Sequence, residues 1–158
     1  MRLSAALAVV VLIVDLVTKA LALERLAPGR PVPVIDGFFS LTLVLNPGLA
    51  FGMLGTTPEA WRWIVAALSL VALAVLAVLA VRLLPGGGRI TQCALGLIFG
   101  GAVGNLIDRA RFGAVVDFLD FYWREYHWPA FNVADSAITV GVTLLALHLL
   151  LAPRPPSG

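Results

Sequence analysis

Residues 61–84 read WRWIVAALSLVALAVLAVLAVRLL, with no charged residue between Arg62 and Arg82. A helix needs roughly 20 apolar residues to cross the hydrocarbon core of a bilayer, and this stretch supplies them. Residues 3–23, 90–107 and 133–151 give three more such stretches, the first interrupted by Asp15 and Lys19. Composition agrees. Of 158 residues, 60% are apolar and 13% charged, whereas a typical soluble domain is about 45–50% apolar even with glycine counted, and about 25% charged. So few charges cannot coat so apolar a body, which excludes an ordinary cytosolic enzyme and a disordered regulator. The 11 basic and 9 acidic residues give a net charge of +2, too even for a surface that tracks phosphates, so no nucleic acid is expected as a partner. A single cysteine, Cys93, excludes an internal disulfide framework and a Cys-cluster metal site.

The expected architecture is a membrane all-α protein: four transmembrane helices in one domain over residues 1–152, then a disordered Pro-rich tail at 153–158. An even number of spans puts both termini on one side. Spans two and three are joined by Pro85-Gly86-Gly87-Gly88, a turn that cannot continue a helix. The long connections, at about 24–60 and 108–132, share the other side. In the first, residues 32–35 and 38–45 read as short strands about an Asp36-Gly37 turn. In the second, the aromatic-rich segment 117–128 has the composition of chain lying at the membrane–water interface. Met1-Arg2 and Ala20-Leu21-Ala22 imitate a cleavable signal peptide, but Asp15 and Lys19 inside the apolar run favour a retained helix. Lys and Arg counts leave the orientation open, whereas all nine acids fall toward the long-connection side.

Ionisable groups at membrane depth are costly and mark candidate functional positions. Asp15 and Lys19, four apart, share a helix face, either as a mutual ion pair or as a pair that orients a neighbouring group. Gly96, Gly100 and Gly104, with Gly101 beside them, clear a stripe on which another helix can pack, and the expectation is that they draw spans three and four together. Asn105, Asp108 and Arg109 follow, either as a helix end meeting headgroups or as a polar surround for a site. Asp117 and Asp135 each have a plain reading, as a surface acid and as an acid in the first turn of a helix. Together they are two carboxylates without a nearby lysine in sequence, bracketing the interfacial segment. Carboxylates forced together split their pKa values, so one takes a proton from water while the other donates one to a carbonyl oxygen. Other nucleophiles are poorer: Cys93 and His148 lie far from these acids, the two histidines form no H-E-x-x-H motif, and Ser136 has no adjacent base.

The residues that carry a family likeness occur in order. They are Asp15 with Thr18-Lys19, Asn46-Pro47-Gly48-Leu49-Ala50-Phe51-Gly52, Gly101 through Asp108-Arg109, Val115-Val116-Asp117-Phe118, and Phe131-Asn132-Val133-Ala134-Asp135-Ser136. This set resembles the bacterial lipoprotein signal peptidases (signal peptidase II), with Pro47 the one departure. The resemblance implies an aspartic endopeptidase of the inner membrane that removes signal peptides just before a diacylglyceryl-modified cysteine. Asp117 and Asp135 match its catalytic aspartates, and Asn46, Gly48, Asn105, Asp108, Arg109, Asn132 and Ala134 match positions around the site. Asp15 and Lys19 match its first-span pair. It also implies both termini in the cytoplasm, a site near the outer leaflet, and a small extracytoplasmic sheet cradling the substrate. An interfacial amphipathic helix over 117–128 is implied as well, as is a chain working as a monomer with a lipidated prolipoprotein and membrane lipids as partners. No metal or other cofactor is implied. Phe51 and the aromatic segment would grip acyl chains or the signal peptide, or simply anchor the chain. The rival is a small ion- or proton-coupled transporter subunit using Asp15, Lys19 and Asp135, but such residues usually sit at the midplane between repeated halves, and no repeat is visible.

Overall fold

The computed structural model of the chain describes residues 1–48, 59–83, 85 and 88–151. Two expectations, the grip of Phe51 and the disordered tail at 153–158, lie outside the described residues. Helix α1 runs Arg2–Arg25, followed by β1 (Val32–Ile35) and β2 (Phe39–Asn46), then α2 (Glu59–Leu83) and α3 (Arg89–Phe112). Strands β3 (Val115–Trp123) and β4 (Tyr126–His127) precede α4 (Val133–Leu151). All four helices contain a segment long and apolar enough to cross a membrane. The outward faces of α1 and α2 expose Val10, Ile13, Val17, Leu68, Val71 and Val78, as lipid-facing surfaces do.

Helix α3 is the centre of the bundle, packed against α1, α2 and α4. It runs past the expected end at residue 107 to Phe112, where Gly113 adopts φ 70° and its N–H closes on the Arg109 carbonyl at 3.0 Å. Asn105, Asp108 and Arg109 therefore sit within a helix, where spacings of three and four put them on one face. The expectation that Gly96, Gly100 and Gly104 join spans three and four is corrected: that stripe faces α1. A Cβ on Gly96 would sit 2.7 Å from the Ser4 carbonyl, one on Gly100 would sit 2.6 Å from that of Ala8, and one on Gly104 would strike the Asp15 carboxylate. Gly101, rotated by one residue around the helix, faces α4 at the Ala134 carbonyl, and Gly141 of α4 returns the contact against Ala94 and Ile98. Gly100→Ala is expected to lower stability by about 1–3 kcal/mol, the usual cost of overpacking, because backbone rather than a movable side chain stands in the way. A fall in Tm in detergent clearly larger than that of Gly88→Ala, where the Cβ meets open space and only an N-cap is weakened, checks this.

The strands form one antiparallel sheet in the order β1-β2-β3-β4. The hairpin about Asp36-Gly37 forms as expected, with Gly37 at φ 75°. The interfacial helix over 117–128 does not: those residues are β3, the turn and β4. The run V-V-D-F-L-D-F-Y-W is β-branched and aromatic, which suits a pleated surface, and β2 presents an unpaired edge that β3 fills. The pairing sets Val44 opposite Asp117 and Asn46 opposite Val115. The aromatic character of the segment survives at its tip, where Trp123, Tyr126 and Trp128 are all exposed.

Candidate active site

Asp15 and Lys19 pair across one helical turn at 2.8 Å, and the same ammonium lies 2.8 Å from Asp108 Oδ2 on α3. Its third donor reaches Asn105 Oδ1 at 3.0 Å. The ammonium of a lysine that is only 2% exposed is thus offset by two carboxylates and an amide oxygen, as a buried charge requires. Asp15 Oδ1 accepts the Ala134 N–H at 2.9 Å, and Asp108 Oδ2 accepts the Val116 N–H at 3.1 Å. The cluster therefore ties α1 to the start of α4 and α3 to the start of β3. Gly104 leaves the room that Asp15 occupies.

With its oxygen committed to Lys19, Asn105 must turn its NH₂ outward, and it donates to Asp135 Oδ1 at 2.7 Å. Asn132 and Asp135 then exchange bonds at the start of α4. The Asp135 N–H donates to Asn132 Oδ1 at 2.9 Å, and the Asn132 N–H donates to Asp135 Oδ2 at 3.3 Å. This reciprocal arrangement is a capping box, so the plain reading of Asp135 as a first-turn acid is correct as far as it goes. The Asn132 NH₂ donates to Asp117 Oδ1 at 2.8 Å and is shared with Asn105 Oδ1 and the Val116 carbonyl, both at 3.2 Å. Asn46, at the end of β2, donates to Asp117 Oδ2 at 3.0 Å while its own Oδ1 accepts the Gly48 N–H at 2.9 Å. Gly48 has φ 88°, and a Cβ there would stand 2.6 Å from Val65 of α2, so both conformation and space require glycine.

Asp117 and Asp135, far from each other in sequence, are thus held by one asparagine. The two differ in access. Asp117 is 1% exposed, whereas Asp135 is partly open on a groove of about 530 Å³ lined by Trp128, Phe131, Ser136, Thr139 and Val140. The Asp117 carboxyl is raised to about 6: burial pushes it up, the amide of Asn46 pulls it down, the negative charge of Asp135 pushes it up, and the amide of Asn132 and the charge of Lys19 pull it down. Arg109 is within electrostatic reach of Asp135, Asp117 and Asp108, donates to the Asn105 carbonyl at 3.3 Å, and keeps a buried Nε–H with no hydrogen-bond partner among the described residues. Two cations, Lys19 and Arg109, face four carboxylates, Asp15, Asp108, Asp117 and Asp135. That imbalance favours a retained proton.

Every site residue expected from the sequence gathers at this one end of the bundle. Ala134 contributes its backbone N–H and its small size beneath Gly101 rather than a functional side chain. A second polar cluster lies outside the set expected from the sequence: Asp120, buried in the sheet, accepts from Ser40 and faces His127. Its only trace in the sequence is a second aspartate three residues after Asp117.

A four-helix membrane body with a shared carboxylate pair beside an apolar groove defines an integral membrane enzyme with the equipment of a hydrolase. A family model described as signal peptidase (SPase) II matches residues 7–151. The lipoprotein signal peptidase of Symbiobacterium thermophilum is 50% identical over 153 residues, 96% of this chain and 97% of that protein. That of Nitratidesulfovibrio vulgaris is 44% identical over 99% of this chain and 94% of its own length. A solved structure described as a bacterial membrane enzyme, determined in meso at 2.3 Å resolution, superposes with a TM-score of 0.74 at 32% identity, covering 99% of this chain and 96% of its own. The chain belongs to the signal peptidase II family, and it is a membrane peptidase. The transporter reading finds no support.

Proposed function

We propose that this peptidase removes the signal peptide from diacylglyceryl-modified prolipoproteins just before the lipidated cysteine, with Asp117 and Asp135 activating water. The observation that carries this reading is that Asp117 of β3 and Asp135 of α4 share Asn132 at the polar end of an apolar groove. A substrate with acyl chains and an apolar signal peptide arrives laterally within the bilayer, so apolar walls leading to a polar pair suit it.

The difference in environment divides the work. Asp117, buried and raised to about 6, holds the proton; Asp135, open to the groove, takes a proton from the attacking water. Water adds to the scissile carbonyl as Asp117 donates toward its oxygen. The intermediate collapses as the proton held by Asp135 passes to the leaving nitrogen and Asp117 takes back a proton from one of the two hydroxyls, with no covalent bond to the enzyme. Arg109 offsets the negative charge that develops, and Lys19 holds Asn105 and hence the orientation of Asp135. The reading places the protein in a bacterial inner membrane as a monomer among lipids, both termini in the cytoplasm, with the site near the outer leaflet. The regions at about 24–60 and 108–132 are then extracytoplasmic, and no metal takes part.

The test is cleavage of one lipidated prolipoprotein by the purified protein across pH. Cleavage is expected just before the lipidated cysteine. On the alkaline side, kcat/KM is expected to fall about tenfold per pH unit, with an apparent pKa near 6 that belongs to the pair. A rate flat across that pH would overturn the shared-proton assignment.

A further inference from the structure

Residues 128–130 cross from the end of β4 to Phe131 and form one wall of the groove beside Asp135. The same three residues also line a second cavity of about 430 Å³ on their other side, with Thr42, Val44, Asp120 and His127. With open volume on both faces, packing cannot decide where this strap sits; its two ends must. At the far end, the Phe131 N–H and carbonyl pair with the backbone of Leu119, and its ring stacks over Phe121 at 5.9 Å. At the near end, the Trp128 N–H donates to the Phe121 carbonyl at 2.8 Å. Beside that bond, His127 Nδ1 lies 3.0 and 3.1 Å from the two oxygens of Asp120.

That carboxylate can only accept when ionised, so Nδ1 carries the hydrogen and donates. Asp120 is itself braced from the opposite strand by Ser40 Oγ, which donates to Oδ2 at 3.1 Å. The His127 ring stacks on Tyr122 at 5.0 Å, and the Tyr122 hydroxyl accepts the Gly37 N–H at 3.2 Å. One buried carboxylate thus links β2, β3 and β4. The link is not a nucleophile triad, because the serine is bonded to the acid and not to the histidine.

We propose that His127 and Asp120 are positioning residues which hold the strap at residues 128–130 against the groove, setting how tightly the apolar part of the substrate binds without taking part in bond cleavage. This rests on the proposed prolipoprotein reading. The test is steady-state cleavage of a diacylglyceryl prolipoprotein by the full-length protein. Loss of one charge-assisted hydrogen bond in His127→Ala is expected to raise KM about tenfold, with kcat within about twofold of wild type. His127→Asn, whose amide keeps a donor close to the Nδ1 position, is expected to restore most of the affinity, and Ser40→Ala to raise KM by less. An unchanged KM, a fall in kcat alone, or failure of His127→Asn to restore KM would overturn the proposal. Should His127→Ala not fold, the His127→Asn and Ser40→Ala arms decide it in the same way. The dyad is tested separately by Asp135→Asn, whose loss would appear in kcat, so the two failures are distinguishable.

Discussion

Asp135→Asn and Asp117→Asn are each expected to lower kcat for cleavage of a lipidated prolipoprotein by a factor of about 10³ or more, with KM little changed, in a protein that still folds. Proton transfer by a positioned group contributes typically about 10²–10⁴-fold, and an amide can neither accept a proton from water nor hand one to the leaving group. The shape is retained. What changes is the hydrogen bonding: Asp135 accepts from Asn105 and from the Asn132 N–H, and Asp117 accepts from the amides of Asn132 and Asn46. An asparagine has one acceptor oxygen for those two donors, a loss of about 1–3 kcal/mol.

At Asp117 a second effect opposes that loss. Its carboxyl is raised from 3.8 to about 6, so between those pH values the unfolded chain ionises first and the native state loses stability as pH rises. Above about pH 6 the native protein carries the full cost of a buried charge, roughly 3 kcal/mol at about 1.4 kcal/mol per unit, which Asp117→Asn removes. Below pH 3.8 both states are protonated and this gain vanishes. Asp117→Asn is therefore expected to gain stability relative to wild type as pH rises from about 4 to 7, while Asp135→Asn serves as the inactive comparison. Thermal unfolding in detergent at several pH values, beside the cleavage assay, measures both. A purified Asp135→Asn protein that processes its substrate at the wild-type rate would remove that residue from the chemistry.

Lys19→Met should have the largest effect on stability. It removes the ammonium from between Asp15 and Asp108 and from the oxygen of Asn105, leaving two buried carboxylates without their ion-pair partner. Breaking a buried ion pair from one side costs about 3–5 kcal/mol, a large part of the roughly 5–15 kcal/mol that holds a typical domain folded. Adding Asp15→Asn and Asp108→Asn to Lys19→Met should recover much of the loss, because the remaining groups are then neutral. Activity is expected to recover less, since Asn105 no longer has a cation to fix which way its amide points. A Lys19→Met protein with wild-type Tm would show that the cluster does not hold α1 to the rest of the bundle.

Glycine at every fourth position in α3 announces a close helix contact; the expected partner is span four, and the structure makes it α1. Rotation by a single residue, from Gly100 to Gly101, separates the α1 face from the α4 face, and a one-dimensional pattern does not reveal that choice. The composition of segment 117–128 points to the interface, and the family resemblance implies a helix there. Its extended form depends on the free edge of β2, a partner more than 70 residues away in the chain. Asp120 and His127 gave little sign for the same reason, since their meeting requires β3 and β4 to pair.

What the sequence determined by itself was whatever depends on transfer between phases and on residue type. Apolar length put four helices in a bilayer, the cost of charge there singled out Asp15 and Lys19, and two acids without a nearby lysine singled out Asp117 and Asp135. Only the tertiary structure decided which carboxylates share an asparagine, which of them is buried and which faces the groove. Those outcomes depend on distances between elements, and the field that raises Asp117 to about 6 exists only once burial and the neighbouring Asp135 act together.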